Sequence, residues 1–198
     1  AEYNSNIGYG GHEAFQWLGN VLISLFLVFV LYLAIYYCNH TIFDRYNKYL
    51  YLLLIFTISA VVSFAVSRTD ESLFYLVPFT LIALYLLAFF KIRMVFTVYV
   101  VSLLPMLIFA QNGMELFVMY LVAGVVCILV FGFFNRGWLQ FVTALIVFVV
   151  MVLVWGAFRL ADGPESFGEY RTITKMALGA FMSVAGYPLI YLFEKIFK

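Results

Sequence analysis

The sequence predicts an all-α integral membrane protein, a seven-transmembrane-helix up-and-down bundle with its N-terminus outside (N-out) and its C-terminus in the cytoplasm (C-in). The prediction rests on composition, on seven apolar runs of spanning length, and on a lopsided distribution of charge. Of 198 residues, 66% are hydrophobic and 11% charged. Soluble domains run at about 45–50% apolar and about 25% charged. A chain with so few polar side chains cannot cover a water-facing surface, and lipid is the solvent that suits it.

A spanning helix needs roughly 20 predominantly apolar residues. Seven segments come close: Phe15 to Cys38, Lys48 to Ser67, Leu73 to Phe90, Met94 to Ala110, Met114 to Phe134, Trp138 to Leu160, and Tyr170 to Phe197. The runs are continuous and lack a period of two, which selects helices over a barrel. Short connectors follow, such as Lys91-Ile92-Arg93, Gln111-Asn112-Gly113 and Asn135-Arg136-Gly137. They predict antiparallel neighbours in chain order. Residues 1–14 read as an extracytoplasmic lead-in and residues 15–198 as the helical domain. The missing initiator Met and the abrupt, charged end at Lys198 suggest a piece of a longer chain.

Seven alternating spans sort the charges into two sets. Arg45, Lys48, Lys91, Arg93, Arg136, Lys195 and Lys198 fall on one side with Asp44 and Glu194, so seven positive charges meet two negative, a net of +5. Arg68, Arg159, Arg171 and Lys175 fall on the other with eight acidic residues, a net of −4. Positive loops favour the cytoplasm, so the first set is inside. Tryptophans 17, 138 and 155 and many of the 15 tyrosines lie near predicted helix ends, as an aromatic belt requires.

Several function classes are disfavoured. No Asp, Glu, Lys or Arg sits in the middle of a predicted span, whereas pumps and ion-coupled transporters usually need one there. The histidines, His12 and His40, fall on opposite sides of the membrane and cannot share a site. No Walker loop, Gly-x-Ser-x-Gly or Cys/His cluster is present. Cys38 and Cys127 read as small residues of apolar runs. No catalytic, metal or cofactor residue is expected in this segment, and the charge gives no sign of nucleic-acid binding. Polar residues Asn20, Thr57, Thr97, Ser102, Gln140 and Thr143 could line a transport cavity, but interhelical hydrogen bonding explains them more simply.

In the last helix Gly179, Ser183 and Gly186 share one face and suit close helix packing. Pro188 removes a backbone hydrogen bond and predicts a kink. Pro78 and Pro105 should bend their helices as well. The first inner loop, Asn39 to Asn47, and the outer loop, Ala161 to Glu169, read as solvated turns.

The closing phrase, Gly186-Tyr-Pro-Leu-Ile-Tyr-Leu-Phe-Glu194-Lys-Ile-Phe197, resembles the end of the membrane region in bacterial seven-transmembrane receptors with an intracellular HD phosphohydrolase domain. Asp44-Arg45-Tyr46-Asn47-Lys48, the run Tyr75-Leu76-Val77-Pro78 and the turn Lys91-Ile92-Arg93 are similar to that family too. The resemblance covers the chain from about Trp17 onward. It implies a preceding extracellular sensor domain and a following cytoplasmic HD domain that needs divalent metal ions and hydrolyses cyclic di-AMP. Its metal ligands would lie outside this chain, so this part would be inert as an enzyme. Pro188, Glu194 and Phe197 become the expected output residues, and the bacterial inner membrane the expected location. The partners so implied are the lipid bilayer and the protein's own sensor and HD domains. Homodimerisation would suit such a module, although no interface is legible. The alternatives are a small-molecule or lipid transporter or channel, and a passive membrane anchor.

Overall fold

The computed structural model describes residues 3–39, 42–134, 139–163 and 170–186. Seven α-helices lie within them: α1 (Tyr3–Asn39), α2 (Tyr46–Thr69), α3 (Thr80–Phe89), α4 (Ile92–Phe109), α5 (Gly113–Phe134), α6 (Leu139–Asp162) and α7 (Tyr170–Ala185). A short 3-10 helix, Glu71–Tyr75, precedes α3. Five helices are long and apolar enough to cross a membrane, in α1, α2, α4, α5 and α6. The described part of α7 has 16 residues. The chain is a multi-pass membrane helical bundle.

The third expected span differs from a continuous helix. Pro78 follows the 3-10 helix, and α3 begins only at Thr80. Proline disfavours the α conformation in the residue before it and contributes no amide donor, and both effects favour an interruption at this point. The ten residues of α3 reach about 15 Å at 1.5 Å per residue, half of a hydrocarbon core. The 3-10 helix and the turn at residues 76–79 precede α3. Pro105 behaves differently. It is buried inside α4, which continues to Phe109.

Helix α4 is central and packs against α1, α2, α3 and α5. Chain-order neighbours hold for α3–α4, α4–α5, α5–α6 and α6–α7. The first two helices, in contrast, both lie against α4. The contact stripe of α1 is narrow: Leu27, Leu31 and Ile35 are buried at four-residue spacing, while Leu25, Phe26 and Phe29 are open to the surroundings. Such a helix is apolar all round yet buries one face, as expected where lipid covers the remainder.

The core is rich in tyrosine. Tyr51, Tyr99 and Tyr120 are among the largest fully buried side chains, so the belt reading does not apply to them. Trp155 is also buried. Tyr99 packs over Gly124, where a Cβ would collide with the ring. Cys127 is buried, and the Cys38 thiol donates to the Thr97 hydroxyl at 3.2 Å.

Candidate functional site

The interruption before α3 leaves backbone carbonyls that no helix satisfies. In an apolar medium each unsatisfied group costs several kcal/mol. Tyr120, from α5, answers that of Phe74: its hydroxyl lies 2.6 Å from the Phe74 oxygen and also 2.9 Å from the Val77 carbonyl, which accepts from the Phe79 amide at 2.9 Å as well. One proton serves both acceptors. The backbone carbonyl of Tyr120 in turn accepts from the Tyr99 hydroxyl at 2.6 Å. Helix α4 thus braces α5, and α5 braces the break. Phe79 meets the Tyr120 ring edge-on at 5.2 Å.

A charged cluster closes the bundle beside the break. Glu115 stands in the first turn of α5 and Arg159 in the last turn of α6. Each sign suits its helix end, acid at the N-terminus and base at the C-terminus. Arg159 Nη2 lies 2.9 and 2.8 Å from the two oxygens of Glu115. The Tyr75 hydroxyl donates to the same carboxylate at 3.0 Å, and the Arg159 guanidinium lies 5.7 Å from the Trp155 ring centroid. Glu115 is 8% exposed, an acid held by a cation and a phenol in the bundle end.

A second set of polar contacts extends outward from the same place. Asp70 caps the 3-10 helix, accepting from the Ser72 amide at 2.9 Å and the Ser72 hydroxyl at 2.6 Å. These bonds to the ionised form hold the Asp70 carboxyl below the ordinary carboxylate range, with Lys175 contributing. Lys175, from α7, lies 3.7 Å from Asp70 and donates to the Ser72 hydroxyl. Glu71 Oε1 accepts from the Gln111 amide at 2.7 Å, which ties the segment to the α4–α5 turn.

Helix α7 approaches the break with its small residues. Gly179, Ser183 and Gly186 are all buried. A Cβ at Gly179 would stand 2.7 Å from the Leu76 carbonyl oxygen and 2.9 Å from that of Tyr75. One at Gly186 would stand 2.7 Å from Leu81 Cδ1 of α3. At Gly179 the obstacle is backbone and only glycine permits the approach; at Gly186 it is the end of the Leu81 side chain, which can shift. The Ser183 hydroxyl turns back to the Ala180 carbonyl at 2.6 Å. The Gly186 carbonyl accepts from the Tyr85 hydroxyl at 3.0 Å, and the Tyr85 carbonyl accepts from the Tyr51 hydroxyl at 3.1 Å. A hydrogen-bonded chain therefore runs from α2 through α3 to the end of α7.

The polar residues considered for a transport path do not converge. Thr57 and Thr97 donate to carbonyls four residues back in their own helices, at 2.8 and 3.0 Å. Asn20 and Thr57 are exposed on the outer surface of the helices, whereas Ser102 and Thr143 are buried. Ser102 takes part through its carbonyl, which accepts from Ser59. Pro188, Glu194, Phe197 and His40, like the loop from Pro164 to Glu169 and the Asn135-Arg136-Gly137 turn, lie outside the described residues, as does the side chain of Gln140.

A family model described as "7TM receptor with intracellular HD hydrolase" matches residues 14–198 of the chain. No curated protein and no solved structure matches it.

Proposed function

Because the chain belongs to the family of seven-transmembrane receptors with an intracellular HD hydrolase, we propose that it relays the state of an extracellular sensor to a cytoplasmic HD domain that hydrolyses cyclic di-AMP. The N-terminus faces out and the C-terminus faces in, in a bacterial inner membrane. The relay runs through α7, and Pro188, Glu194 and Phe197 hand its movement to the domain that follows. Hydrolysis and its metal ions belong to that domain. This chain supplies the coupling.

The observation that supports the reading most is the seating of α7 on the broken third span. Lys175 engages Ser72 and Asp70 at one end, Gly179 abuts the Tyr75 and Leu76 carbonyls, and Tyr85 holds the Gly186 carbonyl at the other. A 3-10 helix and a turn have fewer internal bonds than an α-helix, so this segment can change shape at lower cost than its neighbours. A coupling of about 1–3 kcal/mol between its arrangements and the two ends of α7 is enough for regulation.

The test is made in the full-length protein, sensor and HD domain included. Gly179→Leu and Glu194→Ala are expected to change the cyclic di-AMP hydrolysis rate in membranes, while the same HD domain expressed alone keeps its rate. Unchanged hydrolysis and unchanged response to the sensor in both variants would sink the relay. Hydrolysis of another cyclic dinucleotide, with the relay intact, would remove only the substrate assignment.

A further inference from the structure

The end of the bundle opposite the Glu115–Arg159 cluster holds a cavity of about 320 Å³. Arg45 and Lys48 of the α2 start and Lys91 and Arg93 of the α4 start line it, with Phe89 and Phe90 of the α3 end. Among the described residues none of the four cations makes an ion pair, and Asp44, the neighbouring acid, is exposed and makes none either.

The positions of these cations are electrostatically adverse. Arg45 is the N-cap of α2 and Lys91 the N-cap of α4, and neither helix has a side-chain cap. A helix N-terminus carries about half a positive charge and favours anions. Here two such termini and four cationic side chains surround one space. The other end of the bundle does the reverse, with an acid at the start of α5 and a base at the end of α6. Basic loops on a cytoplasmic face account for cations at this end of the bundle. They do not account for cations from two helix starts converging on a single cavity with no acid among its described lining residues.

We propose that this cavity binds a phosphate group, borne by an anionic phospholipid headgroup or by a free phosphate compound. The two helix starts bring their positive dipole ends and the four side chains bring charge and hydrogen-bond donors, a combination suited to a phosphate's several oxygens. The volume falls at the lower end of the range of small-molecule sites, about 300–1,000 Å³. Phe89 and Phe90 give it an apolar wall, fit for a glycerol or acyl stem. Tyr51 packs on Phe89 at 4.7 Å, so the wall joins the hydrogen-bonded path from α2 through Tyr85 to Gly186. The site goes beyond the relay function and does not depend on it.

The test places the protein in nanodiscs of phosphatidylcholine alone, or with phosphatidylglycerol, and follows thermal unfolding with and without inorganic phosphate. Lys48→Gln, Lys91→Gln and Arg93→Gln are compared with Lys91→Arg and with Arg68→Gln at the other end. A midpoint raised by phosphatidylglycerol, with apparent affinity reduced about tenfold or more by each neutralisation and kept by Lys91→Arg and Arg68→Gln, identifies a headgroup site. A saturable rise with inorganic phosphate, abolished by the same variants, identifies a free phosphate site. In phosphatidylcholine without phosphate the neutralised variants should melt at or above the parent temperature, which shows that they fold. Equal responses in all variants, Arg68→Gln included, mean diffuse surface charge and overturn the proposal. So does the absence of any response to both probes.

Discussion

The Tyr120 hydroxyl sits 2.6 Å from the carbonyl oxygen of Phe74, 46 residues earlier in the chain, inside a bundle that offers that oxygen no amide. A break in a membrane-spanning segment is tolerated where protein groups satisfy the freed backbone. Tyr120→Phe keeps the ring and its packing on Phe79 and removes only the proton. The variant should lose about 1–3 kcal/mol, the cost of leaving a buried acceptor unpaired. Thermal or denaturant unfolding in detergent measures it. A loss below a few tenths of a kcal/mol would mean that the Phe74 carbonyl finds water or another donor.

The Glu115–Arg159 pair makes a sharper prediction. Removing one partner leaves a charge in a poorly solvated place, which costs about 3–5 kcal/mol for a buried pair. Arg159→Ala strands Glu115, the more buried partner, whereas Glu115→Ala strands Arg159, whose side chain is 19% exposed, and so belongs toward the lower end. Each single variant should destabilise, Arg159→Ala more than Glu115→Ala, and Glu115→Ala with Arg159→Ala should recover much of the loss. A double-mutant cycle on unfolding midpoints reads the coupling. Additive losses would show that the two residues act separately.

Much of this arrangement was legible in the sequence, and its limits follow from physics. Apolar runs and loop charges indicate a membrane bundle because lipid imposes a length and a polarity that a short window can measure. Pro78 and Pro105 both signal a bend, since a proline acts on its immediate neighbours, but only Pro78 falls at a break, and the local pattern does not tell the two apart. The partners of the break are different. Tyr99 and Tyr120 read equally well as lipid-facing or core residues, because an apolar ring with one polar atom suits both. Their role depends on which carbonyls α4 and α5 meet, and no local pattern encodes that. Alternation assigns Glu115 and Arg159 to one face of the membrane but cannot pair them across 44 residues. The placement of α1 and α2 against α4 was hidden for the same reason. Among helices apolar all round, hydrophobicity does not select a neighbour.

Gly179 and Gly156 provide a matched comparison. A Cβ at Gly156, in α6, meets nothing within 4 Å. Gly156→Ala should stabilise by about 0.5–1 kcal/mol, the usual advantage of alanine inside a helix. At Gly179 the obstacles are backbone carbonyls, which cannot rotate away as a side chain can. Gly179→Ala should cost about 1–3 kcal/mol through overpacking. Unfolding midpoints of the two variants should move in opposite directions. Movement in the same direction would remove the close approach of α7 as the reason for glycine at 179.

The Asp70 cap predicts a dependence on pH with a definite sign. The Ser72 hydroxyl, then the Ser72 amide, favour the ionised carboxylate over the opposing effect of burial, and Lys175 adds to them. The folded-state value is therefore below the ordinary one, about 3.9. Below that ordinary value the unfolded chain takes up the proton first, so acid favours unfolding. The stabilisation from Asp70 is complete above the ordinary value and fades as pH falls through the folded one. Asp70→Asn removes this titration. Unfolding midpoints of parent and variant should lie furthest apart near neutral pH, with the parent higher, and should approach each other on acidification below about pH 4. Curves that stay parallel throughout would show that the carboxylate is bound no more tightly in the folded protein than in the unfolded chain. Lys175 would then reach the broken segment through Ser72 alone.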